Sequence, residues 1–179
     1  MTNDLIIQIE KTFNELIQLT SDLSEEEINT IPFEGSWTAG QLAKHLIISG
    51  SGFVELLNGP IKDTERKPDE MVENFRAILL DFSTKMIAQD LMTPEKKNYK
   101  KDYLLITLEN IKEGMKQVIV KYDLTKTLAV ELPMLGALTR LESVYFVVFH
   151  TQRHIHQLKN ISQVLKKKID AEKSLSKEG

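Results

Sequence analysis

Apolar residues return every three or four positions through most of this chain, and that spacing restricts the fold to packed helices. The first stripe is Leu5, Ile6, Ile9, Phe13, Leu16 and Ile17. A short second piece opens at Ser24, with Glu27 at the third helical position. This is a capping box, in which hydroxyl and carboxylate each satisfy a free backbone N–H. Pro32 and Gly35 break the piece. Thr38 and Gln41 repeat the box ahead of Leu42, Leu46, Phe53, Leu56 and Leu57. Asn58-Gly59-Pro60 stops that helix, with Gly59 expected in the left-handed region, and residues 61–69 read as a loop. A third helix is expected from about Asp69 through Val72, Phe75, Ile78, Leu79, Phe82 and Met86. A fourth carries Leu104, Leu105, Leu108, Ile111, Met115, Val118 and Ile119. Thr139 and Glu142 form another capping box, which opens a last helix expected to reach Lys168. Its apolar positions include Leu141, Val144, Val148, Ile155, Leu158, Ile161 and Leu165. No segment alternates convincingly as a strand. The expected architecture is all-α, a bundle of four main helices joined by loops.

Composition narrows the function classes. A length of 179 residues suits one domain, placed at residues 1–169, with 170–179 as a polar C-terminal tail. The chain has no cysteine, which excludes disulfides, thiolate metal sites and cysteine nucleophiles. A net charge of -3 gives no general attraction to nucleic acid, and the lysine-rich 96–101 stretch reads as a solvated loop. No apolar run reaches the ~18 residues of a membrane span. The start, MTNDLIIQIEK, lacks the basic region and cleavage site of a secretory signal. A cytoplasmic protein is expected.

The chemistry concentrates in the histidines. His150 and His154 are four residues apart on the last helix, so they lie one turn above the other, on the inward arc with Val147, Leu158 and Ile161. His156 points elsewhere, towards Gln163 and Lys167, and reads as a surface residue. His45 shares its face with Leu42, Ser49, Gly52 and Leu56, so it too looks into the bundle. Two histidines at this spacing can bind one divalent ion, and a third from a facing helix would complete the set. A lone His on an apolar face is more often a hydrogen-bonded core residue, and an i, i+4 pair arises by chance on long helices. Three imidazoles would leave a position open for water or substrate, as in catalytic sites. Thr151 follows His150, so no glutamate base is built into the pair.

Two motifs carry a family resemblance. Trp37-Thr38, Gln41 and His45-Leu46 are similar to the opening of the second helix in the DinB-like superfamily. His150, Arg153-His154 and Gln157-Leu158 resemble that superfamily's last long helix, in the same order and separation. The resemblance implies an up-down-down-up four-helix bundle, commonly a homodimer. It implies a divalent ion held by His45, His150 and His154, with Zn²⁺ or Ni²⁺ suited to imidazole. Relatives include thiol-dependent S-transferases, a thiol-dependent isomerase and members of unknown activity. In the thiol-transferase branch the second histidine of the pair is often followed by Arg-Gly-Gln; here Ile155-His156-Gln157 follows.

Three further residues have two readings each. Gln157 is a hydrogen-bond partner for a ligand histidine or a surface amide. Arg153 attracts an anionic substrate or solvates the helix exterior. Trp37 lines the pocket mouth or staples the helix start. The functional expectation is a metal-dependent enzyme acting on a small molecule, with thiol-dependent S-transfer to a small electrophile favoured because no Asp or Glu base accompanies the pair. The alternatives are a metal-dependent hydrolase and a non-catalytic, metal-binding homodimeric interaction module.

Overall fold

The computed structural model describes residues 2–84, 86 and 92–175. Among these, the helices are α1 (Thr2–Ser21), α2 (Glu25–Asn29), α3 (Ala39–Asn58), α4 (Val72–Leu79), α5 (Lys101–Lys121) and α6 (Arg140–Leu175). Two-residue strands β1 (Ile61–Lys62) and β2 (Thr127–Leu128) pair antiparallel.

Side-chain contacts fix the helix directions. Glu10 and Asn14 of α1 meet Lys116 and Lys112 of α5, so these helices are antiparallel. Thr12 and Glu15 of α1 meet Gln152 and Lys159 of α6, so α1 and α6 are parallel. Lys44 meets Tyr103 and Asn58 meets Tyr122, which makes α3 and α5 parallel. His45 meets His150 and Phe53 meets Phe146, which makes α3 and α6 antiparallel. The bundle is up-down-down-up, and α1 and α3 each pack against both α5 and α6. The parallel pair α3–α5 comes close: a Cβ on Gly50 would stand 2.9 Å from a methyl of Ile111, and one on Gly114 3.0 Å from Val54. Leu5, Ile9, Leu16, Leu42, Leu104, Leu108, Met115 and Leu158 are fully buried between the helices. Each such side chain contributes about 1.5–3 kcal/mol of burial.

The three capping boxes form as expected. Ser24 pairs with Glu27, Thr38 with Gln41, and Thr139 with Glu142, each with both reciprocal bonds. The third goes further. Glu142 is fully buried and also accepts from the Arg66 guanidinium through both oxygens and from the Met71 backbone N–H at 2.9 Å. One carboxylate thereby ties the 61–71 connection to the start of α6.

Four expectations are corrected. The third helix ends at Leu79 instead of continuing through Phe82 and Met86, which are exposed. Arg153 of α6 donates to the carbonyls of Leu79, Asp81 and Thr84, and Asp81 accepts from Ser83 N–H, so the carbonyls that would extend the helix are taken. The 61–69 connection contains β1, whose two-residue ladder is too short to show alternation. Gly59 stops α3 in an extended conformation, φ -78°, not a left-handed one. The last helix continues past Lys168 to Leu175, so residues 170–175 of the expected tail are helical; 176–179 lie outside the described residues.

Glu142→Ala should destabilise the protein by about 3 kcal/mol or more, because it strands a partly buried guanidinium and two backbone donors. Denaturant unfolding checks this, and a loss below about 1 kcal/mol would contradict the role given to Glu142.

Candidate metal centre

Three side chains from two helices meet inside the bundle. On α3, the buried face Leu42, His45, Leu46, Ser49 and Phe53 looks inward, and His45 is carried with it. On α6, His150 and His154 stand one turn apart and half-buried, with Val147, Ile155 and Leu158 buried around them. The Nε2 atom of His150 lies 3.2 Å from Nε2 of His45 and 3.2 Å from Nε2 of His154. All three ligand-capable nitrogens lie within 4.8 Å of one another. Among the described residues, this is the one group of three or more such side chains placed to hold an ion, and it contains no carboxylate.

The outer ring nitrogens set the tautomers. His45 Nδ1 lies 2.8 Å from the Met92 carbonyl, and His154 Nδ1 lies 3.0 Å from Gln157 Oε1. Both oxygens can only accept, so both Nδ1 atoms carry protons and both Nε2 atoms present lone pairs inward. Lone pairs aimed at one point repel unless a proton on His150 Nε2 or a cation lies between them. Two nitrogens each 2.0–2.1 Å from a common ion stand about 2.8–3.4 Å apart at octahedral to tetrahedral angles. The observed 3.2 Å separations match, so these residues fit a divalent ion.

Electrostatics keep the rings neutral. Burial lowers the pKa of His45 below the ordinary imidazole value, against the opposing Met92 bond. Burial, with the neighbouring His154, His45 and Arg153, holds His150 well below that value. Burial and the nearby His45 bring His154 down to about 4, although the Gln157 bond opposes them. Neutral imidazole is the metal-binding form.

Aromatic rings wall the cluster. Trp37 lies 5.2 Å from the His45 ring, so this residue adjoins the site. Phe146 stacks on His150 at 5.6 Å, and Phe53 and Phe75 pack against Phe146 in turn. Sequence reasoning missed Phe146, although its place one turn before His150 is a usable signal. It also missed Met92, which acts through its backbone carbonyl and leaves no side-chain trace. Gln157 reaches the outer nitrogen of His154. The Arg153 guanidinium holds the end of α4 and the turn after it. His156 is exposed and stacks on Phe82 at 4.3 Å.

A sequence model of the DinB superfamily matches residues 8–158. The chain belongs to that superfamily. Among curated proteins, none matches it. Among solved structures, this DinB-superfamily protein is similar to YfiT from Bacillus subtilis, with a TM-score of 0.59 and 14% identity over 90% of this chain and 86% of that one. YfiT is described as a probable metal-dependent hydrolase with an unusual four-helix bundle topology. No helix among the described residues is long and apolar enough to cross a membrane.

The histidine pKa values predict how the metal-free protein responds to acid. His154 has a folded-state pKa of about 4, below its ordinary value of 6.5, so the folded state holds fewer protons between those values. Its contribution is complete above about pH 6.5 and is lost as pH falls towards 4. Thermal unfolding of metal-free protein should show a falling Tm from pH 7 to 5, and His154→Asn should flatten the slope. Equal slopes in the two proteins would refute the assignment.

Proposed function

We propose that this protein is a divalent-metal-dependent enzyme acting on a small molecule, with His45, His150 and His154 as the metal ligands. The observation that carries this reading is the convergence of the three Nε2 atoms, two of them with the outer nitrogen already tethered. Membership of the DinB superfamily and the description of YfiT support it. An all-imidazole donor set suits Zn²⁺ or Ni²⁺. A divalent ion held there supplies Lewis acidity, which lowers the pKa of a water or thiol in its remaining position.

The chain's own residues do the rest. The Met92 carbonyl and Gln157 hold two rings in the donor orientation, and Phe146 backs the third. Trp37 and Phe146 lay aromatic surface against His45 and His150. No Asp or Glu joins the cluster among the described residues, so a carboxylate base for activating water is lacking there. That favours a nucleophile that arrives already ionised, such as the thiolate of a small thiol. The proposed reaction is S-transfer: sulfur bonds to the electrophilic carbon as the leaving group departs with its electron pair. Hydrolysis is the second reading, favoured by what YfiT is described as. The proposed setting is cytoplasmic and the proposed assembly a homodimer, as the superfamily resemblance implies.

Untagged protein should bind one divalent ion per chain. His45→Ala, His150→Ala and His154→Ala should each weaken binding by more than about a hundredfold, whereas His156→Ala should not, as measured by competitive chelator titration. Metal-loaded protein should conjugate a chlorodinitrobenzene with a small thiol faster than stripped protein. Stoichiometric metal without metal-dependent turnover, by thiol transfer or by hydrolysis, would replace the enzyme with the interaction module.

A further inference from the structure

We infer that the trihistidine centre selects an anionic ligand, and that Gln157 and the Met92 carbonyl secure this selectivity by giving the ligand imidazoles uncharged partners. The inference rests on the metal-dependent reading above and adds the charge class of what occupies the open position.

Ligand histidines commonly pass their outer N–H to a carboxylate, which raises the ring's basicity and offsets part of the metal's charge. Here the two assigned partners are a peptide carbonyl and a primary amide, and neither carries charge. Three neutral imidazoles therefore leave the charge of a divalent ion uncompensated. Among the described residues, no Asp or Glu acts electrostatically on any of the three rings, whereas the Arg153 guanidinium acts on two of them. Arg153 is tied to three backbone carbonyls. The carboxylate within its reach, Asp81, offsets part of that charge and is held in place by Ser83 and Thr84. With a divalent ion bound, the surplus among these described groups is positive, and the rings of Trp37 and Phe146 lie against two of the imidazoles, on the side of low polarity. Under these conditions a thiolate, carboxylate or small inorganic anion gains Coulomb energy that a neutral donor does not.

Gln157 is the position where this can be tested, because Gln157→Glu keeps the chain length and the hydrogen bond to His154 while adding one negative charge. It is a positioning residue, so the informative quantity is the split between metal affinity and anion affinity. The probes are Co²⁺ as the ion, azide as the anion and imidazole as the neutral donor, followed by visible absorption. Wild-type Co²⁺ protein should bind azide at least about tenfold more tightly than imidazole. Gln157→Glu should keep or strengthen Co²⁺ binding, weaken azide by about tenfold and leave imidazole within about twofold. Gln157→Leu should weaken Co²⁺ binding but leave azide affinity per loaded ion unchanged, since it removes a tether and adds no charge. Equal azide affinity in wild type and Gln157→Glu overturns the inference, as does an equal fall for azide and imidazole. The wild-type comparison stands even if the variants fold poorly, and azide binding no tighter than imidazole overturns the inference alone. Failure of wild type to take up Co²⁺ would reject the metal-dependent reading itself.

Discussion

The register between α3 and α6 is the constraint on which the candidate centre depends. These antiparallel helices bring residue 45 opposite residues 150 and 154 only in one alignment. Two contacts hold it. Phe53 packs on Phe146 in the core, and Arg140 at the start of α6 donates to the carbonyls of Leu57 and Gly59 at the end of α3. A slip of one helical turn, about 5.4 Å, would carry His45 away from both partners. The centre is thus placed by contacts well away from it. Its three histidines occupy regular helix, where a backbone hydrogen-bonded on both sides of each residue limits drift.

That placement explains the buried polar chemistry at the beginning of α6. Thr139, Glu142, Arg66 and the Met71 N–H form one connected set of hydrogen bonds, and Arg140 next to it caps α3. A buried carboxylate is costly unless its acceptors are filled, and Glu142 has them filled. The network sets where α6 starts. The position of His150 and His154 along the bundle follows from that starting point at the fixed helical rise.

Much of this was legible in the sequence because it is local. The capping boxes at Ser24, Thr38 and Thr139 announce helix starts from four-residue patterns, and the His150–His154 pair reads as one face from spacing alone. The superfamily motifs added that His45 belongs with them. What the sequence concealed is set by partners distant along the chain. The apolar stripe from Val72 to Met86 has the spacing of a longer helix, yet Arg153, remote in sequence, captures the carbonyls at Leu79, Asp81 and Thr84. The Met92 carbonyl belongs to a backbone that any residue would supply, so no residue type could have flagged it. Trp37 is readable as a staple or as a pocket residue from its place before Thr38, and its ring position beside His45 is set by the fold and not by the local sequence.

Arg153 then takes on a structural role beside its two sequence readings. It lies between the two histidines of the pair but turns away from them, to the carbonyls that end α4. α4 is also held to α6 through Phe75, which packs on Phe146, and Phe146 backs His150. The short helix is therefore tied to α6 by polar contacts to Arg153 and aromatic contacts to Phe146. A change in α4 would reach His150 through Phe146 without touching the converging histidine nitrogens. This makes α4 part of the wall that shapes the centre, although none of its side chains belongs to the three-histidine group.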